Sequence, residues 1–143
     1  MTDSRFTICA SVSVDVPARV AFDFLSDGMN QSYWALGSMD RVKVDVDLFR
    51  GKSMFTGMDQ YIRLSANAEL LLVDYFTGDT AAELYQLVES RVRCGSQLGR
   101  DKSSCVVTNT IWRCKEDDEE WALMYHLWHT EVHLIKGRLE QIS

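Results

Sequence analysis

Several features typical of metal-bound, disulfide-bonded or membrane-spanning proteins are missing from this 143-residue sequence. Its four cysteines (Cys9, Cys94, Cys105 and Cys114) include no pair at CxxC spacing, which excludes zinc-ribbon and thioredoxin-like motifs. We expect them to be buried free thiols, with a disulfide or a reactive thiol as the alternative. No apolar run approaches the roughly 20 residues that cross a bilayer. Residues 1–14 have no apolar segment after a basic start, so we expect no signal peptide and a cytoplasmic location.

The sequence also lacks an excess of basic residues. It has 15 Lys and Arg against 21 Asp and Glu, which gives a formal net charge of −6. A nucleic-acid binder needs a basic surface to displace counterions, and an anionic membrane also attracts basic segments. Neither partner is therefore expected, and nor is membrane insertion. The length and the 46% hydrophobic content are ordinary for a globular protein, so we predict one domain over residues 1–143.

The first two thirds of the chain alternate between apolar and polar residues, the period of half-buried strands. Residues 5–16 (RFTICASVSVDV) predict the first strand, and Pro17 suits the start of a short helix over 17–27. Residues 41–49 (RVKVDVDLF) predict another strand, with alternate residues on each face. The predicted core-facing residues are Val42, Val44 and Val46, and the predicted solvent-facing residues are Arg41, Lys43, Asp45 and Asp47. Further strands are predicted within 52–76, 85–95 and 105–114.

From about residue 118 the period changes to 3.6 and predicts a helix of some 25 residues without proline. Asp117 and Glu120 have the spacing of a capping box at its start, and Lys136 and Arg138 suit its C-terminal end. An antiparallel sheet with one polar face needs a cover over the other face. This amphipathic helix is the only element large enough, so the sequence predicts a two-layer α+β fold.

Three stretches of the sequence and one tryptophan resemble the helix-grip fold of the START-related superfamily, also called SRPBCC. They are VSVDVPARVAFDFLSD (12–27) with Trp34 after it, LFRGKSMFTG (48–57) and WHTEVHLIKGRLE (128–140). The superfamily includes polyketide cyclases and dehydratases, lipid-transfer proteins and co-chaperone domains. The resemblance implies a curved antiparallel sheet of six to seven strands around the C-terminal helix, with one or two short helices after the first strand. It also implies a cavity for an apolar or aromatic small molecule, with residues 77–84 as a loop near its mouth.

All three histidines of the chain lie on the predicted C-terminal helix, where they suggest a metal site. At 100° per residue, His126, His129 and His133 share one narrow stripe that points away from the apolar face. HTEVH differs from the zinc motif HExxH because the glutamate does not directly follow the first histidine. Glu131 instead projects from the opposite side of the helix. We therefore expect no functional metal and no cofactor, and adventitious binding by the i, i+4 histidine pair remains open.

Glu131 is the main candidate for chemistry because it projects into the apolar face, where an unpaired carboxylate is costly. Burial should raise its pKa unless a cation compensates. One interpretation is a buried ion pair with Arg138, Arg63 or Arg113. Another is a carboxyl that lines the cavity and contacts a ligand or transfers a proton. The third interpretation is that a local twist exposes Glu131 to solvent.

The remaining candidates could contribute to a ligand pocket, for which aromatic walls are suited. The predicted ligand-binding residues are Tyr61, Asp74, Tyr75, Trp112, Met124, Trp128 and Arg138. Core packing explains each aromatic residue equally well, and Asp74 could instead hold a turn or bulge. We expect a carrier or sensor of an apolar small molecule, or a cyclase or dehydratase. The alternative is a protein-interaction module of co-chaperone type, and a homodimer is plausible.

Overall fold

The computed structural model describes residues 5–142; the ends of the predicted domain, residues 1–4 and 143, lie outside this range. Seven antiparallel strands form one sheet in the order β1-β7-β6-β5-β4-β3-β2. The strands are β1 (Thr7–Val14), β2 (Met39–Asp45), β3 (Leu48–Lys52), β4 (Asp59–Asn67), β5 (Leu72–Thr80), β6 (Glu83–Cys94) and β7 (Cys105–Trp112). The helices are α1 (Ala18–Ser26) and α2 (Asp118–Ile142), with 3-10 helices at Gly28–Tyr33 and Gly95–Leu98. The predicted α+β helix-grip fold is confirmed.

The sequence periodicity is clearest in β1 and α2. In both elements the buried residues are those that the periodicity predicts. In β1, residues Ile8, Ala10, Val12 and Val14 are buried, and the intervening residues face outward. On α2 the buried apolar residues are Trp121, Trp128, Val132, Ile135 and Leu139. The start of α2 is capped, because the backbone N–H of Glu120 donates to Oδ1 of Asp117 at 2.8 Å. These faces place the helix against one side of the sheet.

The predicted orientation of β2 is wrong. Val42, Val44 and Val46 are exposed, whereas Arg41 is only 4% exposed. β2 is an edge strand with two register irregularities against β3, and Asp40 has a positive φ of 51°. A strand that bends in this way does not keep a uniform alternation of faces. The irregularity turns the arginine inward and the valines outward.

The expected burial of the cysteines is also only partly correct. All four are free thiols, but Cys9 and Cys114 are exposed and Cys94 is half-buried. Only Cys105 is buried. Cys9 lies on the outer, polar face of β1, as the alternation of that strand requires, and Cys114 follows the end of β7.

Candidate functional site

A two-part cavity lies between the concave face of the sheet and α2. The inner chamber, of about 160 Å³, is lined by the 3-10 helix after α1, the segment 34–38, the sheet and α2. A wider outer funnel of about 710 Å³ continues from it. The residues lining both spaces are Gly37, Phe55, Gln60, Thr77, Leu87, Glu116 and Met124. The two spaces therefore form one cavity that narrows inward.

Glu131 lies in the wall of the inner chamber and is 4% exposed. Its Oε1 accepts a hydrogen bond of 2.9 Å from the backbone N–H of Leu36. Burial raises the pKa of Glu131 to about 8, and this single hydrogen bond offsets the rise only in part. At neutral pH the carboxyl is therefore mostly protonated and uncharged.

None of the three arginines considered as partners of Glu131 makes a salt bridge with it within residues 5–142. The guanidinium of Arg138 lies over the ring of Tyr33, 3.7 Å from its centroid. That of Arg113 pairs with Asp118 at 2.8 Å. Arg63 is exposed on β4. Of the interpretations considered for Glu131, the geometry is that of a carboxyl lining the cavity.

Arg41 is a second buried polar residue that lines the inner chamber. The sequence predicts that it faces solvent, but β2 turns it inward. Its Nη1 donates to the carbonyl of Gly28 at 3.0 Å and to Oε1 of Gln31. A Cβ at Gly28 would overlap the ring of Phe49, so glycine allows this carbonyl to reach the arginine. Burial lowers the pKa of Arg41 to about 10, which leaves it charged at neutral pH.

Several polar atoms of the inner-chamber residues have no hydrogen-bond partner within residues 5–142. They are Nε and Nη2 of Arg41, Nε1 of Trp34 and Oγ of Ser38. Buried polar groups are normally paired, since an unpaired one costs about 1–3 kcal/mol. Trp34 carried part of the family resemblance, but neither it nor Ser38 was predicted as a site residue. The clustering of these atoms depends on the tertiary fold, and no local sequence motif predicts it.

The floor of the chamber is held by a buried hydrogen-bond network around Tyr75. Its hydroxyl contacts the carbonyl of Leu25 and Oγ of Ser90, each at 3.2 Å. Ser90 donates in turn to Oδ1 of Asn109 at 2.6 Å. The ring of Trp34 meets that of Tyr75 edge-on, with 6.1 Å between centroids. These contacts fix two aromatic walls of the chamber.

Only some of the predicted site residues line the cavity. Tyr75, Met124, Trp128 and Glu131 line the inner chamber. Tyr61, Asp74 and Trp112 line neither space; each alternates with core-facing neighbours and so projects from the outer face. Arg138 is also outside the cavity walls. Sequence alternation alone does not say which face of a strand borders a cavity.

The outer funnel is bordered by the β5–β6 hairpin. The predicted loop over residues 77–84 is wrong in extent, because β5 continues to Thr80 and β6 begins at Glu83. Thr77, Asp79 and Glu83 line the funnel there. Asp79 accepts from Gln60 at 3.0 Å and from Lys115 at 2.7 Å. These exposed polar contacts connect the turn to β4 and to the segment before α2.

The histidines lie outside this cavity. His126 and His133 are exposed, and Nδ1 of the half-buried His129 bonds the carbonyl of Tyr125 at 2.8 Å. Within residues 5–142 no group of three or more His, Cys, Asp or Glu side chains is arranged to hold a metal ion. None of the helices described is long and apolar enough to span a membrane.

Comparison with known proteins identifies the fold. No family model and no curated protein matches the sequence. Among solved structures, the chain is similar to the Zhui aromatase/cyclase from Streptomyces, with 15% identity over 94% of this chain and 93% of that one, and a TM-score of 0.65. It is also similar to a START superfamily protein from Mycobacterium smegmatis (10% identity, 96% and 99% coverage, TM-score 0.66). An Aha1 dimer from Colwellia psychrerythraea has 12% identity, 94% and 96% coverage and a TM-score of 0.67. The chain thus has the helix-grip fold of these structures.

Proposed function

We propose that this protein binds an apolar or aromatic small molecule in the cavity between its sheet and α2. The observation that carries the proposal is the continuous cavity, whose inner chamber is lined by aromatic side chains and by residues with unpaired polar groups. Ligand sites are typically apolar clefts of about 300–1,000 Å³ with a few convergent polar groups. The outer funnel falls within that range at about 710 Å³.

The dimensions suggest how a ligand would divide between the two spaces. The inner chamber, about 160 Å³, is close to the volume of an engineered apolar cavity of about 150 Å³ that binds benzene. It therefore accommodates one ring, and the rest of the ligand would occupy the funnel. The solved structures include an aromatase/cyclase and a START protein, and their names agree with a ligand-binding use of this fold.

Binding is tested by native mass spectrometry of the purified protein and by titration with an apolar aromatic probe, followed by tryptophan fluorescence. Leu87 lies where the two spaces join, so Leu87→Trp should obstruct the cavity and weaken binding roughly tenfold or more. Leu134→Trp is the matched control because Leu134 is exposed on α2, outside both spaces. Equal weakening by both substitutions, or no binding by the wild type, would reject the proposal.

Proton transfer by Glu131 is a second candidate function, favoured by its protonated state inside the cavity. A carboxyl with a pKa near the working pH can act as a general acid and then as a base. This role would suit a cyclase or dehydratase of polyketide-like substrates. The test is deuterium exchange at the central carbon of a bound aromatic 1,3-diketone. Glu131→Gln should retain binding and slow the exchange; an unchanged rate in that variant would exclude the role.

A protein-interaction module of co-chaperone type needs no ligand and would be expected to have a filled core. The presence of the chamber with its unpaired polar atoms therefore favours ligand binding over that alternative.

A further inference from the structure

The hydrogen bonds of Arg41 use only one nitrogen of its guanidinium group. Nη1 is occupied by Gly28 and Gln31, whereas Nε and Nη2 have no partner within residues 5–142. Nε–H and one N–H of Nη2 point in parallel, and this edge matches the two oxygens of a carboxylate. The side chain is 96% buried, as its 4% exposure implies. Arg41 lines the inner chamber, and its guanidinium carbon lies 5.7 Å from the centroid of the Phe49 ring.

In the described part of the chain, the charge of Arg41 is not balanced by a direct partner; Glu116, which also lines the chamber, accepts a hydrogen bond of 3.0 Å from the backbone N–H of Cys114. Within residues 5–142 no carboxylate forms a salt bridge with it. Glu131 lines the same chamber but is mostly uncharged at neutral pH. A buried cation without a counterion is costly, and proteins normally pair it. A ligand that brings a negative charge would remove this imbalance.

The other unpaired atoms of the chamber residues favour an acceptor as well. Nε1 of Trp34 can only donate, and Oγ of Ser38 can donate or accept. With Arg41, the chamber has an excess of hydrogen-bond donors. A carboxylate offers about four acceptor positions and no donor, which complements that excess. Its single charge also costs less to transfer into an apolar chamber than the charge of a phosphate dianion.

We propose that the cavity selects apolar ligands that carry a carboxylate, which binds the free Nε–Nη2 edge of Arg41 inside the inner chamber. This inference rests on the proposed ligand-binding function and specifies its substrate class: an acidic ring or chain end inside the chamber, with an apolar remainder in the funnel.

The test compares biphenyl-4-carboxylate with biphenyl-4-carboxamide, which has nearly the same shape but no charge. Near neutral pH the wild type should bind the acid about tenfold or more tightly than the amide, since a hydrogen bond to a charged group is stronger than a neutral one. Arg41→Gln should bind the two compounds about equally. Arg41→Lys keeps the charge but cannot form a bidentate pair with a carboxylate. This variant should therefore retain only part of the preference for the acid. The control Arg63→Gln alters an exposed arginine of β4 and should leave the preference unchanged.

The Nε–H resonance of Arg41 in nitrogen-15 NMR spectra gives a readout that needs only the wild type, in case an Arg41 variant fails to fold. It should shift on addition of the acid and not on addition of the amide. Equal affinity of the wild type for both compounds would overturn the inference while leaving ligand binding intact. A preference that persists in Arg41→Gln would also overturn it. Failure of the wild type to bind either compound would instead reject the proposed function beneath it.

Discussion

The backbone N–H of Leu36 donates a hydrogen bond of 2.9 Å to Oε1 of Glu131 across 95 positions of the chain. This contact joins the middle of α2 to the segment between the 3-10 helix and β2. Trp34 and Ser38, in the same segment, also line the inner chamber. The bond therefore helps to position one wall of the chamber and orients the carboxyl within it.

The stability of the protein should depend on the ionisation of Glu131. Its folded-state pKa of about 8 lies above the ordinary value of 4.5, so the folded protein holds a proton that the unfolded chain releases. This contribution to stability is fully present below pH 4.5 and is lost as the pH rises to about 8, at about 1.4 kcal/mol per pH unit. Glu131→Gln removes this dependence, so the variant should gain stability relative to the wild type over that range, as measured by urea unfolding.

The matched control for that experiment is Glu140→Gln on the same helix. Lys136 lowers the pKa of Glu140, so the stabilisation from this carboxylate is present above its ordinary pKa and is lost only as the pH falls further. Between about pH 5 and 8 the difference between Glu140→Gln and the wild type should stay constant. A constant difference for Glu131→Gln as well would show that Glu131 is ionised in the folded protein.

The hydroxyl of Tyr75 should contribute measurably to stability through its contacts with Leu25 and Ser90. Tyr75→Phe leaves the buried network incomplete and should lower the free energy of unfolding by about 1–3 kcal/mol. Tyr61→Phe removes a hydroxyl from a half-buried residue on the outer face of the sheet. This variant should change the free energy of unfolding by less than about 0.5 kcal/mol. Similar effects in thermal or urea unfolding would contradict the buried network.

The packed face of α2 can be tested with two adjacent aliphatic residues. Ile135 is fully buried, whereas Leu134 is 37% exposed. Ile135→Ala should lower the free energy of unfolding by about 2–5 kcal/mol because it leaves a cavity in the core. Leu134→Ala should cost well under half of that. The reverse order would mean that the helix packs with a different face.

The four thiols should differ in reactivity toward iodoacetamide, as followed by mass spectrometry. Burial raises the pKa of Cys105 to about 11, whereas the Ser96 hydroxyl lowers the pKa of Cys94. Cys105 should react only as fast as the protein unfolds, and Cys94 should react in the folded state because thiolates are the reactive form. Ser96→Ala should slow the labelling of Cys94 without changing that of Cys114. Rapid labelling of Cys105 in the folded protein would contradict its burial.

The sequence predicted those features that depend on one strong local period. The alternation around Ile8 and Val12 predicts the buried face of β1, and the helical wheel predicts that Glu131 projects toward the core while His126 and His133 remain in solvent. In both elements the hydrophobic pattern is long and regular, so packing follows it. The family resemblance added the curvature of the sheet around the helix and the position of the cavity.

The rest of the site depends on tertiary geometry. Arg41 and Val42 exchange their expected environments because β2 is an irregular edge strand. The partners of Arg41 come from the 3-10 helix that lies 10 to 13 residues earlier in the chain. Tyr61 and Trp112 point away from the cavity, although aromatic side chains are well suited to line a ligand pocket. No periodicity in the sequence encodes which face of the sheet curves around α2.

Ligand binding in the cavity is tested most directly by methyl NMR spectra of the wild type during titration with biphenyl-4-carboxamide or its acid. The largest shifts should occur at the methyl groups that line the inner chamber. Those residues are Ala35, Ile62, Thr77, Leu87, Val88, Ile111 and Met124. The exposed Val42, Val44 and Val46 of the β2 edge and the turn after it should not move. Shifts confined to these valines, or no shifts with either compound, would contradict a ligand-binding cavity.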